Sequence, residues 1–375
     1  MTASAAGVED YRASSGSPAR PGVGTCLVTG GAGFIGCAVS GALSDMFARV
    51  VVMDHMHPQV HATQERPAAL DERAELVVAD VTQAQDWDRV LDAVVPDVVI
   101  HLAAETGTAQ SLTEGSRHGL VNVVGTTRML DALGARGIRP RAILLASSRA
   151  VYGEGAWRSV ADGTIQYPGQ RTNAMLLEHV WDFDGLVPVP HSSRDVHPAP
   201  SSIYGATKLC QENLVSAWCR SRGVASVIFR FQNVYGPGQS LTNPYTGIVP
   251  LFARIAKAGE SIPVYEDGEI IRDFVYIDDV ASAVVAGAAR RESTDTPVDI
   301  GSGQGTSIMR LASVIAERYG APPPHVTSQF RDGDVRSGVA DVREAMAELA
   351  WRPAVPVERG IGLLCDWIDG LERHR

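Results

Sequence analysis

Cysteine is sparse and unpatterned in this chain. Five occur, at Cys26, Cys37, Cys210, Cys219 and Cys365, and no two are spaced as Cys-x-x-Cys. An odd count without that spacing argues against a disulfide scaffold, a redox pair or a cysteine-based metal site. It fits small buried apolar groups in a reducing compartment. Basic charge is also in deficit. The 33 Lys and Arg face 43 Asp and Glu, for a net −10, which disfavours non-specific binding to nucleic acid or to an anionic membrane. No apolar run approaches the roughly 20 residues that span a bilayer. The first 22 residues are rich in Ala, Ser, Gly and Pro and lack the apolar middle of a signal peptide. They read as a disordered extension of a cytoplasmic protein. Internal repeats are missing too. What remains is a 375-residue chain, 45% hydrophobic, sufficient for one large domain or two closely joined ones.

Short apolar runs alternate with helical patterns. The expected strands are Thr25 to Thr29, Arg49 to Met53, Glu75 to Ala79, Val98 to Leu102, Ala142 to Leu145 and Ser226 to Phe231. Helices are expected over Phe34 to Leu43, Trp87 to Val94, about Leu120 to Leu133, and from near Tyr204. Continuous apolar strands in this rhythm predict a parallel sheet covered on both faces, an α/β doubly wound (Rossmann) fold. Residues 23–236 form the expected dinucleotide-binding domain, with a proline-rich, partly looped insertion at 154–202. Residues 237–375 form mainly a smaller substrate-binding domain, with helices over Pro250 to Ala258 and Ser307 to Tyr319. Segment 274–300 is expected to return to the first domain.

Thr29-Gly-Gly-Ala-Gly-Phe-Ile-Gly36 lies directly between a strand and a helix. Gly30, Gly33 and Gly36 permit a tight turn and the approach of a pyrophosphate to a helix N-terminus, where free N–H groups favour negative charge. Asp54 ends the second strand, where a carboxylate accepts the ribose hydroxyls of adenosine. A 2′-phosphate would meet its charge, so NAD rather than NADP is expected. Asp80 ends the third strand, placed either to bond the adenine amine or to cap the following turn. His57 and His61 stand at the spacing of a helical zinc pair, but Pro58 separates them and no third ligand is evident. No metal is expected, and His55, His57 and His61 read as a loop over the adenosine.

Tyr204 and Lys208 fall one turn apart on one helical face. A lysine ammonium beside a phenol favours the phenolate, so Tyr204 is expected to serve as a general base with its pKa drawn toward neutrality. Lys208 would also bind the nicotinamide ribose. Ser147 and Ser148 follow the strand at Ala142 to Leu145, at the sheet edge where open parallel sheets bind ligands. Ser148 is the chosen proton relay, with Ser147 the alternative.

These motifs in this order resemble the extended short-chain dehydrogenase/reductases, in the group of NAD-dependent nucleotide-sugar epimerases and dehydratases. The resemblance runs from about Thr25 to the C-terminus. It includes His101-Leu-Ala-Ala104, Asn122-Val-Val-Gly-Thr126, Asn233-Val-Tyr-Gly-Pro237, Arg272-Asp-Phe-Val-Tyr-Ile-Asp-Asp-Val280 and Arg331-Asp-Gly-Asp334. It implies that Phe34, Ile35, Val81, Leu102, Ala103, Ala104 and Asn122 also line the cofactor. Thr106, Arg149, Asn233, Arg272 and Arg331 would hold the substrate, with Asn233 and the last two arginines on its diphosphate. A homodimer formed through the Tyr204 helix and the helix over Leu120 to Leu133 is implied as well.

The segment Ser147-Ser-Arg-Ala-Val-Tyr-Gly153 bears on the reaction. The dehydratases of this family carry Asp and Glu after the hydroxyl residue, where this chain has Arg149 and Ala150. The 4-epimerase pattern fits better, since inversion at C4 needs one base, resident NAD and room for a ketone to turn over. Glu105-Thr-Gly-Thr-Ala-Gln110, Gly236-Pro-Gly-Gln-Ser-Leu-Thr-Asn-Pro-Tyr-Thr-Gly247 and Glu266-Asp-Gly268 resemble the dTDP-L-rhamnose 4-epimerase branch. The implied partner is a dTDP- or UDP-linked hexose. The same residues would serve an NAD(P)H-dependent 4-ketoreductase, and a non-catalytic dinucleotide-binding protein is a third reading.

Overall fold

The computed structural model describes residues 22–61, 63–241, 247–294 and 296–373. Nearly all of the expected disordered tail lies outside the described residues, as does 242–246. Seven strands form the main sheet: β1 (Thr25–Thr29), β2 (Arg49–Asp54), β3 (Glu75–Val78), β4 (Val98–His101), β5 (Ala142–Ser148), β6 (Ala225–Phe231) and β7 (Val298–Ile300). Their order is β7-β6-β5-β4-β1-β2-β3, and every pairing is parallel. From β1 the chain builds outward through β2 and β3, then crosses back to β4 and builds the other way. The C-terminal ends of β1 and β4 therefore flank a topological switch point, where such sheets open a crevice.

Side-chain alternation explains why both faces are buried. Cys26, Val28, Val50, Val52, Val98 and Ile100 pack on one face with Val39 and Leu43 of α1 (Phe34–Met46). Leu27, Val51, Met53 and Val99 turn to the other face, against Trp87, Val90 and Leu91 of α2 (Ala84–Ala93) and Met129, Leu130 and Leu133 of α3 (Gly125–Ala135). Val215 and Cys219 of α4 (Ile203–Arg222) join that second core. Val280, Ala283 and Val284 of α5 (Ile277–Ala289) close the first. Helix α4 begins at Ser202, whose Oγ accepts the Gly205 N–H at 3.0 Å. It ends at Gly223, whose φ of +66° supplies the left-handed cap.

The helix expected over Leu120 to Leu133 is longer and broken in character. A short helix at Gly115–His118 runs through a π-helical turn at Gly119–Val124 into α3. The insertion carries more regular structure than its composition suggests. Trp157–Ser159 is the central strand of a three-stranded antiparallel sheet flanked by Ile165–Gln166 and Leu186–Pro188. Arg171 fastens it to the smaller lobe. Its guanidinium donates to both oxygens of Glu266 at 2.7 and 2.9 Å and to the carbonyls of Trp181 and Asp334. The smaller lobe packs the helices Ile248–Lys257, Ile308–Tyr319 and Val357–Arg373 against the strands Asn233–Tyr235 and Ile271–Tyr276. No helix among the described residues is long and apolar enough to cross a membrane.

Candidate active site

A cleft of about 880 Å³ opens at the switch point and runs from the turn after β1 to Asn233. Gly30, Gly33, Phe34, Ile35 and Gly36 form its floor at one end. Gly30 has φ +66°, and a Cβ there would sit 2.6 Å from the Ala103 amide nitrogen, so the tight turn admits no side chain. A Cβ on Gly36 would come 2.3 Å from the Gly31 carbonyl oxygen, which fixes the close approach of α1 to the turn. Gly33 caps α1 without a side-chain acceptor, leaving first-turn N–H groups available to an anion.

Asp54 lies beside that turn, nearly buried. One of its oxygens accepts the Ala32 N–H at 3.1 Å and the other the Met56 N–H at 2.9 Å. His61 and His55 flank it at 3.8 and 3.9 Å. Asp80 also lines the cleft while accepting the Thr82 N–H at 2.8 Å, so its carboxylate caps the following turn. Val81, Leu102, Ala103, Ala104 and Thr106 complete this half. Asn122 does not reach the cleft. It is fully buried, its Oδ1 accepting the Glu105 N–H and its Nδ2 donating to Glu105 O and Thr207 Oγ1. The π-helical turn aims its amide at the neighbouring backbone, so its effect on a cofactor is through Glu105 and α4.

The chemistry-bearing side chains meet at the C-terminal end of β5. Ser148 and Tyr204 line the cleft together, and the serine hydroxyl acts to lower the Tyr204 pKa. The Ala150 N–H donates to Ser148 Oγ at 3.1 Å, which leaves the serine proton available to donate. Ser147 is committed elsewhere. Its Oγ donates to Glu212, which receives both Nε and Nη2 of Arg230 at 3.0 and 2.7 Å. That guanidinium lies 4.7 Å over the Tyr152 ring, and the Tyr152 hydroxyl donates to Asp299 at 2.7 Å. Burial pushes the Asp299 carboxyl up to about 7. Sequence reasoning missed this network, although Glu212 stands one helical turn beyond Lys208.

Lys208 is almost wholly buried and donates from Nζ to the Ala146 carbonyl at 2.8 Å. Burial pushes its pKa down to about 7, against the pull of Glu212. The expected lowering of Tyr204 by Lys208 is therefore not what the chain provides. Burial raises the Tyr204 pKa, and the opposing influences are the Ser148 hydrogen bond and the charge of Arg149. The lysine is turned to a backbone carbonyl and its own charge is disfavoured. Arg149 is the charged group that opposes the rise.

Arg149 lines the cleft, donates from Nε to Asn233 Oδ1 at 3.0 Å, and has no carboxylate within ion-pair distance among the described residues. Burial and the neighbouring Arg272 lower its pKa to about 10. Arg272 itself is buried, paired with Asp334 at 2.6 Å and donating to its own Ile271 carbonyl. Arg331 is exposed, its guanidinium 5.2 Å from the Tyr265 ring. Of the residues expected on the substrate, the structure brings Thr106, Ser148, Arg149 and Asn233 to the cleft and leaves Arg272 and Arg331 off it.

Gly30 and Gly36 have no space for side chains, a carboxylate closes the second strand, and a Ser/Tyr/Lys set stands at the far end. These residues fit a bound dinucleotide. Fold and site together define a Rossmann-type enzyme site that pairs a dinucleotide with a hydroxyl-relay base. The family model described as "NAD dependent epimerase/dehydratase family" matches residues 26–174 and 184–301, and the chain belongs to that family. It is 58% identical over 342 residues to a dTDP-L-rhamnose 4-epimerase of Burkholderia thailandensis, covering 91% of this chain and 94% of that one. Among solved structures it is similar to UDP-glucose 4-epimerase of Thermotoga maritima with UDP-glucose (TM-score 0.75, 26% identity, 93% of this chain and 99% of that one). It is also similar to the Thermus thermophilus UDP-glucose 4-epimerase complex with NAD (TM-score 0.72, 26% identity, 92% and 99%).

Proposed function

We propose that the chain is an NAD-dependent nucleotide-sugar 4-epimerase acting on a dTDP-linked 6-deoxyhexose of the dTDP-L-rhamnose kind. The observation that carries the reading is the Ser148–Tyr204 pair on the cleft, followed by Arg149 and Ala150. One hydroxyl relay and one base suffice to move the proton of the sugar 4-hydroxyl. Expulsion of water from C5 and C6 would need a further acid/base pair, and Arg149 and Ala150 cannot supply it. The relative at 58% identity supports the choice of sugar and nucleotide.

Gly30, Gly33 and Gly36 would hold the dinucleotide's pyrophosphate, Asp54 the adenosine ribose, and Tyr204 and Lys208 the nicotinamide ribose. Bound NAD⁺ supplies the two-electron acceptor that takes the C4 hydrogen and gives it back. Tyr204 accepts the 4-hydroxyl proton through Ser148 Oγ, then returns it by the same path to the C4 oxygen as the opposite face of the ketone is reduced. Arg149 favours the phenolate during that exchange and, with Asn233, faces the substrate. Between the two transfers the 4-keto sugar must turn over while its diphosphate stays anchored, which keeps the reacting carbon close to Ser148 and Tyr204.

We place the enzyme in the cytoplasm as a homodimer. Leu120, Val124 and Ile203 leave apolar side chains exposed along the two helical segments that would pair. A monomeric mass by light scattering would contradict that assembly. The test of function is incubation with dTDP-L-rhamnose, UDP-glucose and UDP-glucuronate without added nicotinamide. Turnover of the dTDP sugar is expected to exceed that of the UDP sugars. A requirement for added reduced nicotinamide and a 4-keto sugar would replace the reading with a ketoreductase.

A further inference from the structure

The outer side of the dinucleotide groove is crossed by a polar strap that the chemistry above does not use. The loop after β2 and the segment after β4 stand on opposite sides of the turn that follows β1, because β1 lies between β2 and β4 in the sheet. A tie between them must pass over the glycine turn. The structure makes such a tie from several directional bonds. Gln59 and Gln110 exchange side-chain amide hydrogen bonds at 3.1 and 3.3 Å. Arg117 donates from Nη2 to Gln59 Oε1 at 3.2 Å and lies 3.3 Å from His57 Nε2. The same guanidinium is held by Glu105 at 2.8 Å and Glu114 at 3.0 Å. Both sides of the strap line the cleft, His57 and Gln59 on one flank and Glu105 and Thr106 on the other.

Two features separate this from an ordinary surface ion pair and from a phosphate ligand. Gln110 and Glu105 are largely buried, so their bonds are made in a shielded setting where geometry counts. Arg117 is already met by two carboxylates, which leaves it no net positive charge to offer a pyrophosphate. Its guanidinium spans a gap, using its planar fork to join three chain segments. We infer that Arg117, with Gln59 and Gln110, forms a strap that closes over the dinucleotide groove and governs how long NAD stays on the enzyme. This inference rests on the reading of the cleft as an NAD site. An enzyme that takes a hydrogen from C4 and returns it to the same sugar needs no cofactor exchange between turnovers. A strap that slows release therefore suits a resident cofactor and would obstruct a reductase that must discharge its cofactor each cycle. Arg117 is a positioning residue here, acting through Gln59 and Glu105.

The test loads the full-length enzyme with radiolabelled NAD, chases with excess unlabelled NAD, and follows the retained label after rapid gel filtration. Arg117→Ala and Gln59→Ala cut the strap from opposite flanks, so Gln59→Ala carries the test if the arginine variant folds poorly. Each is expected to release label at least tenfold faster than the parent. The double variant should be little faster than Arg117→Ala alone, because both act on one connection. A folded Gln59→Ala and a folded Arg117→Ala that both release NAD at the parental rate would overturn the strap and leave the epimerase reading standing. A parent enzyme that binds no NAD would overturn both. Faster release in the variants supports the strap whichever sugar the enzyme proves to use.

Discussion

Replacing Lys208 by methionine should abolish turnover and yet stabilise the cofactor-free protein. The side chain is 3% exposed, and burial carries its pKa from the ordinary lysine value of 10.5 to about 7. A buried ammonium with a lowered pKa costs stability wherever the unfolded chain binds a proton that the folded chain resists. The cost is full below pH 7, declines as pH rises, and vanishes above the unfolded value near 10.5. At pH 8 it amounts to roughly 3 kcal/mol, and it grows by roughly 1.5 kcal/mol on going down to pH 6. The substitution gives up the bond to the Ala146 carbonyl, worth about 1 kcal/mol. It also leaves Glu212, which keeps its two bonds from Arg230. Methionine fills nearly the same volume, so no cavity term enters. The net expectation is a gain of roughly 2 kcal/mol at pH 8, larger at pH 6. Urea unfolding of NAD-stripped parent and variant at the two pH values reads it directly. A Lys208→Met protein less stable than the parent at both, or a difference that does not change with pH, would refute the claim that this lysine is held at the expense of the fold.

Other expectations follow from the same geometry. Tyr204→Phe should retain NAD through gel filtration and lose about 10²- to 10⁴-fold in kcat, measured by product NMR, since it removes the group that moves the proton. Arg149→Met should shift the rising limb of the kcat/KM profile to higher pH, because a cation that favours the Tyr204 phenolate is gone. Arg149→Lys should restore part of that shift. Arg171→Met leaves Glu266 buried with one remaining contact, from Arg336 at 3.3 Å. It should therefore destabilise by about 3 kcal/mol in chemical denaturation. An unchanged midpoint would mean that the insertion is held by other contacts.

The parts of this site that could be read from sequence are those whose chemistry is packed into contiguous motifs. The glycine turn, Asp54 and the Tyr204/Lys208 pair each carry their own spacing, and strand and helix periodicity supply the frame that positions them. Ser148 could be chosen over Ser147 in sequence, but the reason appears only in three dimensions, where Glu212 engages Ser147. The partners of Arg272 and Arg331 could not be read from sequence, because a guanidinium's surroundings depend on residues far along the chain. Asp334 stands 62 residues from Arg272 in the chain. Asn122 sits in a π-helical turn that no periodicity announces, and its bonds to Glu105 and Thr207 appear only in three dimensions. Arg117 and Gln59 are 58 residues apart and join only because β1 separates their strands in the sheet. Glu212 was the one omission with a visible signal, its helical spacing from Lys208.

In the proposed reaction the C4 hydrogen leaves the sugar and returns to it within a single active site. The direct measurement is incubation of the purified enzyme with dTDP-L-rhamnose deuterated at C4, in ordinary water and without added nicotinamide, followed by NMR and mass spectrometry of the product. The expected product is a C4-inverted sugar that keeps its deuterium, with no hydrogen taken from solvent. A product that has exchanged its deuterium for solvent hydrogen, or no product until reduced nicotinamide and a 4-keto sugar are supplied, would contradict it.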